Sequence, residues 1–137
     1  MVDSWVDVDH DSEEALMAAV SQQPVSVAIE ADQMSFQLYS GGVLTANCGT
    51  NLDHGVLLVG YGVRMGSVRY IPATFWRISL VSSCSLDSFL PSVPAPQIKN
   101  SWGASWGVDG YILIKREAPQ EGGECGILMQ ASYPVLA

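Results

Sequence analysis

The segment "NLDHGVLLVGYG", residues 51–62, places His54, one of two histidines, at the mouth of an apolar run. An imidazole there can take or give a proton near neutral pH, so the first question is which group it would serve. Three thiols are available, Cys48, Cys84 and Cys125. A thiol is a strong nucleophile only as the thiolate, and an odd count also admits one disulfide with one thiol left over. Zinc needs about four ligands at close spacing, whereas no CxxC pair occurs and His10 and His54 lie 44 positions apart. "GYGVRMG" follows an apolar strand, but "SVRYIP" behind it does not start the helix that a phosphate-cradling loop requires. No metal and no cofactor are therefore expected. His10, in the acidic approach to a helix, reads as structural.

The chain that must position His54 has 137 residues, 48% of them hydrophobic, enough for one packed domain. Its 6 basic and 14 acidic residues give a charge of −8, and the first 32 residues hold eight acids with no Lys or Arg. Such a surface repels nucleic acid and anionic membranes, so neither is expected as a partner. No apolar stretch approaches the roughly 20 residues that span a bilayer. The start "MVDSWVDVDHD" lacks the basic and apolar regions of a signal peptide, so no secretory signal is expected in this chain.

"DHDSEEALMAAVSQQP" has the form of a capped helix. Asp11 or Ser12 can accept the first free N–H groups, Asp11 with Glu14 fits a capping box, and Leu16, Met17 and Val20 supply the apolar face. "VSVAIEA" and "GVLLVGYG" read as mostly buried strands. In "GYILIKRE", Tyr111, Leu113 and Lys115 alternate with Ile112, Ile114 and Arg116. One short helix followed by strands and turn-rich loops predicts an α+β, mostly β domain built on a small antiparallel sheet or barrel. The segment "SLVSSCSLDSFLPSVPAPQ" stands apart, with six serines and three prolines in 19 residues, a composition that resists any regular element. Joining residues 75–77 directly to 98–100 gives "FWRIKN", which continues as "SWG", so 78–97 reads as an insertion.

"QPVSVAIEA", "FQLYSGGV", "CGTNLDHGVLLVGYG", "IKNSWGASWGVDGYILIKRE" and "CGILMQASYPV" together resemble the second half of a papain-like cysteine peptidase catalytic domain, in the order that family uses. The resemblance covers residues 5–62 and 98–135. It implies a two-lobed fold of which this chain, 1–137, is the C-terminal, antiparallel barrel-like lobe, interrupted at about 78–97, with the first lobe absent and its packing face exposed. Translated intron is the expected origin of the interruption.

The same resemblance implies roles. His54 is the imidazole that takes a thiol proton, and Asn100 orients it. Trp102 lies over their hydrogen bond and Trp106 lines the leaving-group side. Ala28 and Gly55 form the wall of an apolar pocket for the second residue before the scissile bond, with Gln130 at its floor. Small walls leave room for Leu, Phe or Val, and an amide floor disfavours Arg. Asp53 belongs to the same region, either tuning the imidazole or serving as a turn acid. Taken alone, Asn100 is a turn residue and the two tryptophans are core or interface anchors.

Cys48 and Cys125 match the family's second-lobe disulfide. Closing so long a loop contributes on the order of 3 to 5 kcal/mol. Such a bond implies an oxidising compartment, lysosome- or vacuole-like or secreted. None of the three cysteines stands in the family's nucleophile motif, so the isolated chain is expected to be inactive. Polypeptide substrate, a missing N-terminal lobe and protein inhibitors are the implied partners. Three classes of function follow: a cysteine endopeptidase present as its His/Asn half, a non-catalytic peptide- or inhibitor-binding lobe, or a truncated gene-model fragment without activity.

Overall fold

The structure, a computed structural model, describes residues 1–45, 48–64 and 93–136. The described residues form strand β1 (Val2–Asp7), helix α1 (Glu13–Val20), β2 (Val25–Ile29), the four-residue helix α2 (Met34–Gln37), β3 (His54–Arg64), β4 (Val93–Lys99), β5 (Tyr111–Leu113) and β6 (Ala131–Leu136). The strands make one antiparallel sheet in the order β1-β6-β2-β3-β4-β5. It is open among the described residues, with β1 and β5 as its edges. The fold is thus the mostly β, antiparallel arrangement expected, with the sheet not closed into a barrel among the described residues.

Alternation decides which side chains enter the core. Val25, Val27 and Ile29 of β2, Val56 and Leu58 of β3, Ile98 of β4 and Ile112 of β5 point inward and are buried. Leu16, Ala19 and Val20 of α1 cover them, as does Phe36. Each such side chain contributes about 1.5 to 3 kcal/mol by leaving water. Ser12 caps α1 by accepting from the Ala15 N–H at 3.1 Å. The Asp11–Glu14 capping box does not form. Asp11 sits at φ +55° and its carboxylate accepts from the Gly122 N–H at 2.9 Å, a tertiary bond that removes it from the helix end. Met17 is half-buried, and Ala19 takes its expected place in the apolar face.

Three further expectations need correction. β3 is buried on one face only: Gly55, Leu57 and Tyr61 are exposed, because the described residues supply a packing layer on one side of that strand. Met1, Val2, Trp5, Met34, Leu38 and Leu136 are also exposed among the described residues. Strand β1 and helix α2 were not expected. All six residues of β1 are exposed, so no buried periodicity marks it. Lastly, the Ser/Pro-rich stretch is not irregular throughout. Its residues 93–97 belong to β4, where Val93 to Pro96 pair with Arg64 to Tyr61 and Gln97 pairs with Gly60. The carbonyl of Pro96 accepts from the Ile114 N–H at 3.1 Å, on the β5 side. In an antiparallel strand the N and O of one residue face the same way, so Pro96, and Pro94 two residues back, withhold donors from the side away from β3. The β3–β4 ladder loses no bond, and pairing overrides composition. Residues 78–92, Cys84 among them, and Phe75–Arg77 lie outside the described residues.

Candidate active site

His54 opens β3, opposite Ile29 of β2 in the ladder. Asn100 is the residue after β4, with its N–H on the Gly110 carbonyl at 2.9 Å. The two come from strands that are neighbours in the sheet, which brings them together across 46 positions: His54 Nε2 lies 2.8 Å from Asn100 Oδ1. The same oxygen accepts from the Ser101 N–H at 2.7 Å. A backbone N–H can only donate, so this bond fixes which Asn100 atom is oxygen, and an amide oxygen can only accept. Nε2 of His54 therefore carries the proton. Nδ1 is left as the ring atom that can take a proton from another group. Asn100 is buried, and its Nδ2 has no hydrogen-bond partner among the described residues.

An aromatic group stands against this pair. The Trp102 ring lies 5.0 Å from the His54 ring at 32° to it, while 40% of Trp102 remains exposed. Phe36, fully buried, meets Trp102 edge-on at 5.6 Å and Trp106 at 5.2 Å. Trp106 donates its indole N–H to the Gln37 carbonyl at 2.9 Å. The first contact is edge-to-face and the second tilted at 33°; such aromatic pairs hold ring orientation and are worth about 0.5 to 1.5 kcal/mol each beyond area. Phe36 was assigned no role from sequence. Its available signal was an aromatic residue in an otherwise polar turn segment, "DQMSFQ".

The expected pocket residues are also neighbours. Ala28 and Gly55 face each other across β2 and β3, and the Ala28 N–H donates to the Gln130 carbonyl at 2.9 Å. A Cβ placed on Gly55 meets nothing within 4 Å, so the wall there is open. Gln130 is exposed. Asp53 differs from these three: its Oδ1 accepts from the Ala31 N–H at 2.8 Å, a tie to the residue two beyond the end of β2.

Cys48 and Cys125 form a disulfide with Cα atoms 4.7 Å apart. It joins the loop before His54 to the segment before β6. Buried Glu124 lies beside it, with Oε1 unpartnered among the described residues. Burial raises the pKa of its carboxyl above the ordinary 4.5, opposed by the Gln120 side chain, the Lys115 charge and a hydrogen bond from the Cys48 backbone. Cys48, Glu124 and Cys125 are the metal-ligating types that cluster among the described residues, and two of them are joined to each other.

Comparison with known proteins shows the family of the chain. The family of papain family cysteine proteases matches residues 1–135. Cysteine proteinase EP-B 1 of Hordeum vulgare is 45% identical over 134 residues, covering 98% of this chain and 29% of that protein. The KDEL-tailed cysteine endopeptidase CEP2 of Arabidopsis thaliana is 43% identical over 134 residues, covering 98% and 30%. The chain thus spans less than a third of the length of these relatives. Among solved structures, the bromelain protease of Ananas comosus in complex with the E64 inhibitor superposes with a TM-score of 0.78 at 32% identity, covering 99% of this chain and 51% of that one. With the family matched over residues 1–135 and the fold shared with a solved member, the chain belongs to the papain family of cysteine proteases.

Proposed function

We propose that this chain is the C-terminal lobe of a papain-like cysteine endopeptidase and carries the base half of its site. The observation that carries this reading is the His54 Nε2 to Asn100 Oδ1 bond at 2.8 Å, with the oxygen identified by Ser101. It leaves Nδ1 to take the proton of a thiol, giving a thiolate–imidazolium pair. A neutral Asn suits an imidazolium that is present before substrate arrives. Trp102 keeps water from one side of the pair, which strengthens its hydrogen bond. The thiolate attacks the substrate carbonyl, and the imidazolium returns the proton to the leaving amine.

The nucleophile comes from the first lobe of the domain, and Cys48 and Cys125 are excluded from the part because their sulfurs are joined. Ala28, Gly55 and Gln130 form one side of a pocket for an apolar side chain, and the open space at Gly55 supports Leu, Phe or Val there. Polypeptides and protein inhibitors are the ligands of that cleft, with the first lobe as the partner that completes it. The disulfide supports an oxidising compartment, vacuole-like or secreted. Residues 78–97 are an insertion in this lobe, its last five residues serving as the start of β4.

The chain alone should neither hydrolyse a peptidyl-arylamide nor react with an epoxide that alkylates catalytic thiols. Combined with a thiol-bearing first lobe it should do both, and His54→Ala should abolish both. Hydrolysis that survives His54→Ala overturns the reading. Epoxide labelling of the chain alone, lost in His54→Ala and kept in Cys84→Ser, would reveal a different nucleophile.

A further inference from the structure

We infer that Glu30 is a positioning residue for His54, a role that rests on the reading of His54 as the base. Glu30 follows β2 directly and is 6% exposed, an unusual place for a carboxylate unless its oxygens are engaged. They are. Oε2 accepts from the Asn51 N–H, and Oε1 accepts from Gln33 Nε2 at 3.0 Å. Its own N–H donates to the carbonyl of Cys125 at 2.9 Å. Glu30 thus ties together the end of β2, the loop that enters β3, and the segment held by the disulfide.

The loop closes on Glu30 from the other side as well. Gly49 sits at φ +82°, and a Cβ there would come within 2.6 Å of Glu30 Oε2, so the backbone packs directly on the carboxylate. Two residues past Asn51, the Asp53 N–H donates to the Ile29 carbonyl at 3.0 Å while its side chain takes the Ala31 N–H. The two acids therefore make a reciprocal clasp: Glu30, on the strand end, holds the loop, and Asp53, on the loop, holds the strand end. His54 is the next residue, so its approach to Asn100 is set by a loop whose middle is anchored on Glu30. Without that anchor the part-buried Asn51 N–H loses its protein partner, and the loop is free to turn it toward water. Hydrogen bonds weaken steeply with misalignment, so a small turn is felt at Nε2.

The test is the nuclear magnetic resonance signature of the imidazole in the full chain, with the His10 ring and the α1 amides as internal references for folding. In the unaltered chain the His54 Nε2 proton should be visible and slow to exchange. In Glu30→Ala that proton should exchange about tenfold faster, the loss of one hydrogen bond's protection, while the His10 and α1 signals stay in place. Glu30→Gln keeps an oxygen for Asn51 and should restore most of the protection. A folded Glu30→Ala with an unchanged His54 signature overturns the proposal. So does a Glu30→Gln chain that fails to fold, because Glu30 then serves stability alone. Asn100→Ala separates this from the parent reading: if it leaves the Nε2 proton unchanged, the His54–Asn100 pairing fails whatever Glu30 does.

Discussion

Over its first five residues, His54 to Leu58, β3 pairs with β2, and it follows a loop tied down by Glu30, Asp53 and the Cys48–Cys125 bond. Over Gly60 to Arg64, past an irregularity in register, its ladder partner among the described residues is β4, and Tyr61 and Gly62 are exposed. Among the described residues, one strand thus has an end fixed by several independent tethers and an end fixed by one ladder. The residues that could do chemistry stand at the first end. The chain between Arg64 and Val93, whose composition departs most from the rest, leaves from the second. Length and composition can vary at a loosely tethered end without moving a side chain at the other.

Opening the disulfide should have the largest effect. Replacing Cys48 and Cys125 by Ala should lower unfolding free energy by about 3 to 5 kcal/mol in urea titrations. Amide protection should fall at residues 53–56 before residues 60–62, and equal loss at both ends would break the comparison. The unaltered chain, denatured without reductant, should show one reactive thiol.

Glu124 tests the same end through pH. Its folded pKa is raised above 4.5, so its contribution to stability is full below 4.5 and is lost as pH rises through the folded value. Glu124→Gln imitates the protonated form. It should stabilise the neutral-pH protein on the order of 1 kcal/mol, with the gain vanishing as pH falls toward 4.5. A gain that persists in acid would assign the effect to packing instead.

At the loose end the effects should be small. The Arg116 guanidinium lies 5.7 Å from the Tyr61 ring, so Tyr61→Leu should cost about 0.5 kcal/mol in the same titration. A cost comparable to that of the disulfide would mean the two ends are held alike.

What could be read from sequence followed the range of the forces involved. α1, β2, β3 and the Tyr111–Ile114 alternation were legible because capping and periodicity act over a few residues. β1 was not, since its partner β6 lies at the other end of the chain and none of its residues is buried. The choice of Ser12 over Asp11 as cap turned on a bond to Gly122, 111 positions away from Asp11. His54 and Asn100 were legible through family resemblance, since no local pattern links residues 46 positions apart. Glu30 and Phe36 escaped notice for a related reason: an acid ending a strand and an aromatic in a turn look ordinary until the loop folds over one and two tryptophans pack on the other.

Strand β5 ends opposite Gln97, while β4 extends back to Val93. Among the described residues that overhang is a sheet edge, the kind of surface on which a strand from another molecule can add. Pro94 faces that side without an N–H to offer, and Pro96 beside it, its carbonyl already taken by the Ile114 N–H, offers none either, so an incoming strand finds few donors there. The prolines whose composition suggests a break in structure leave the β3–β4 ladder whole and offer no donor to a strand that would add at this border.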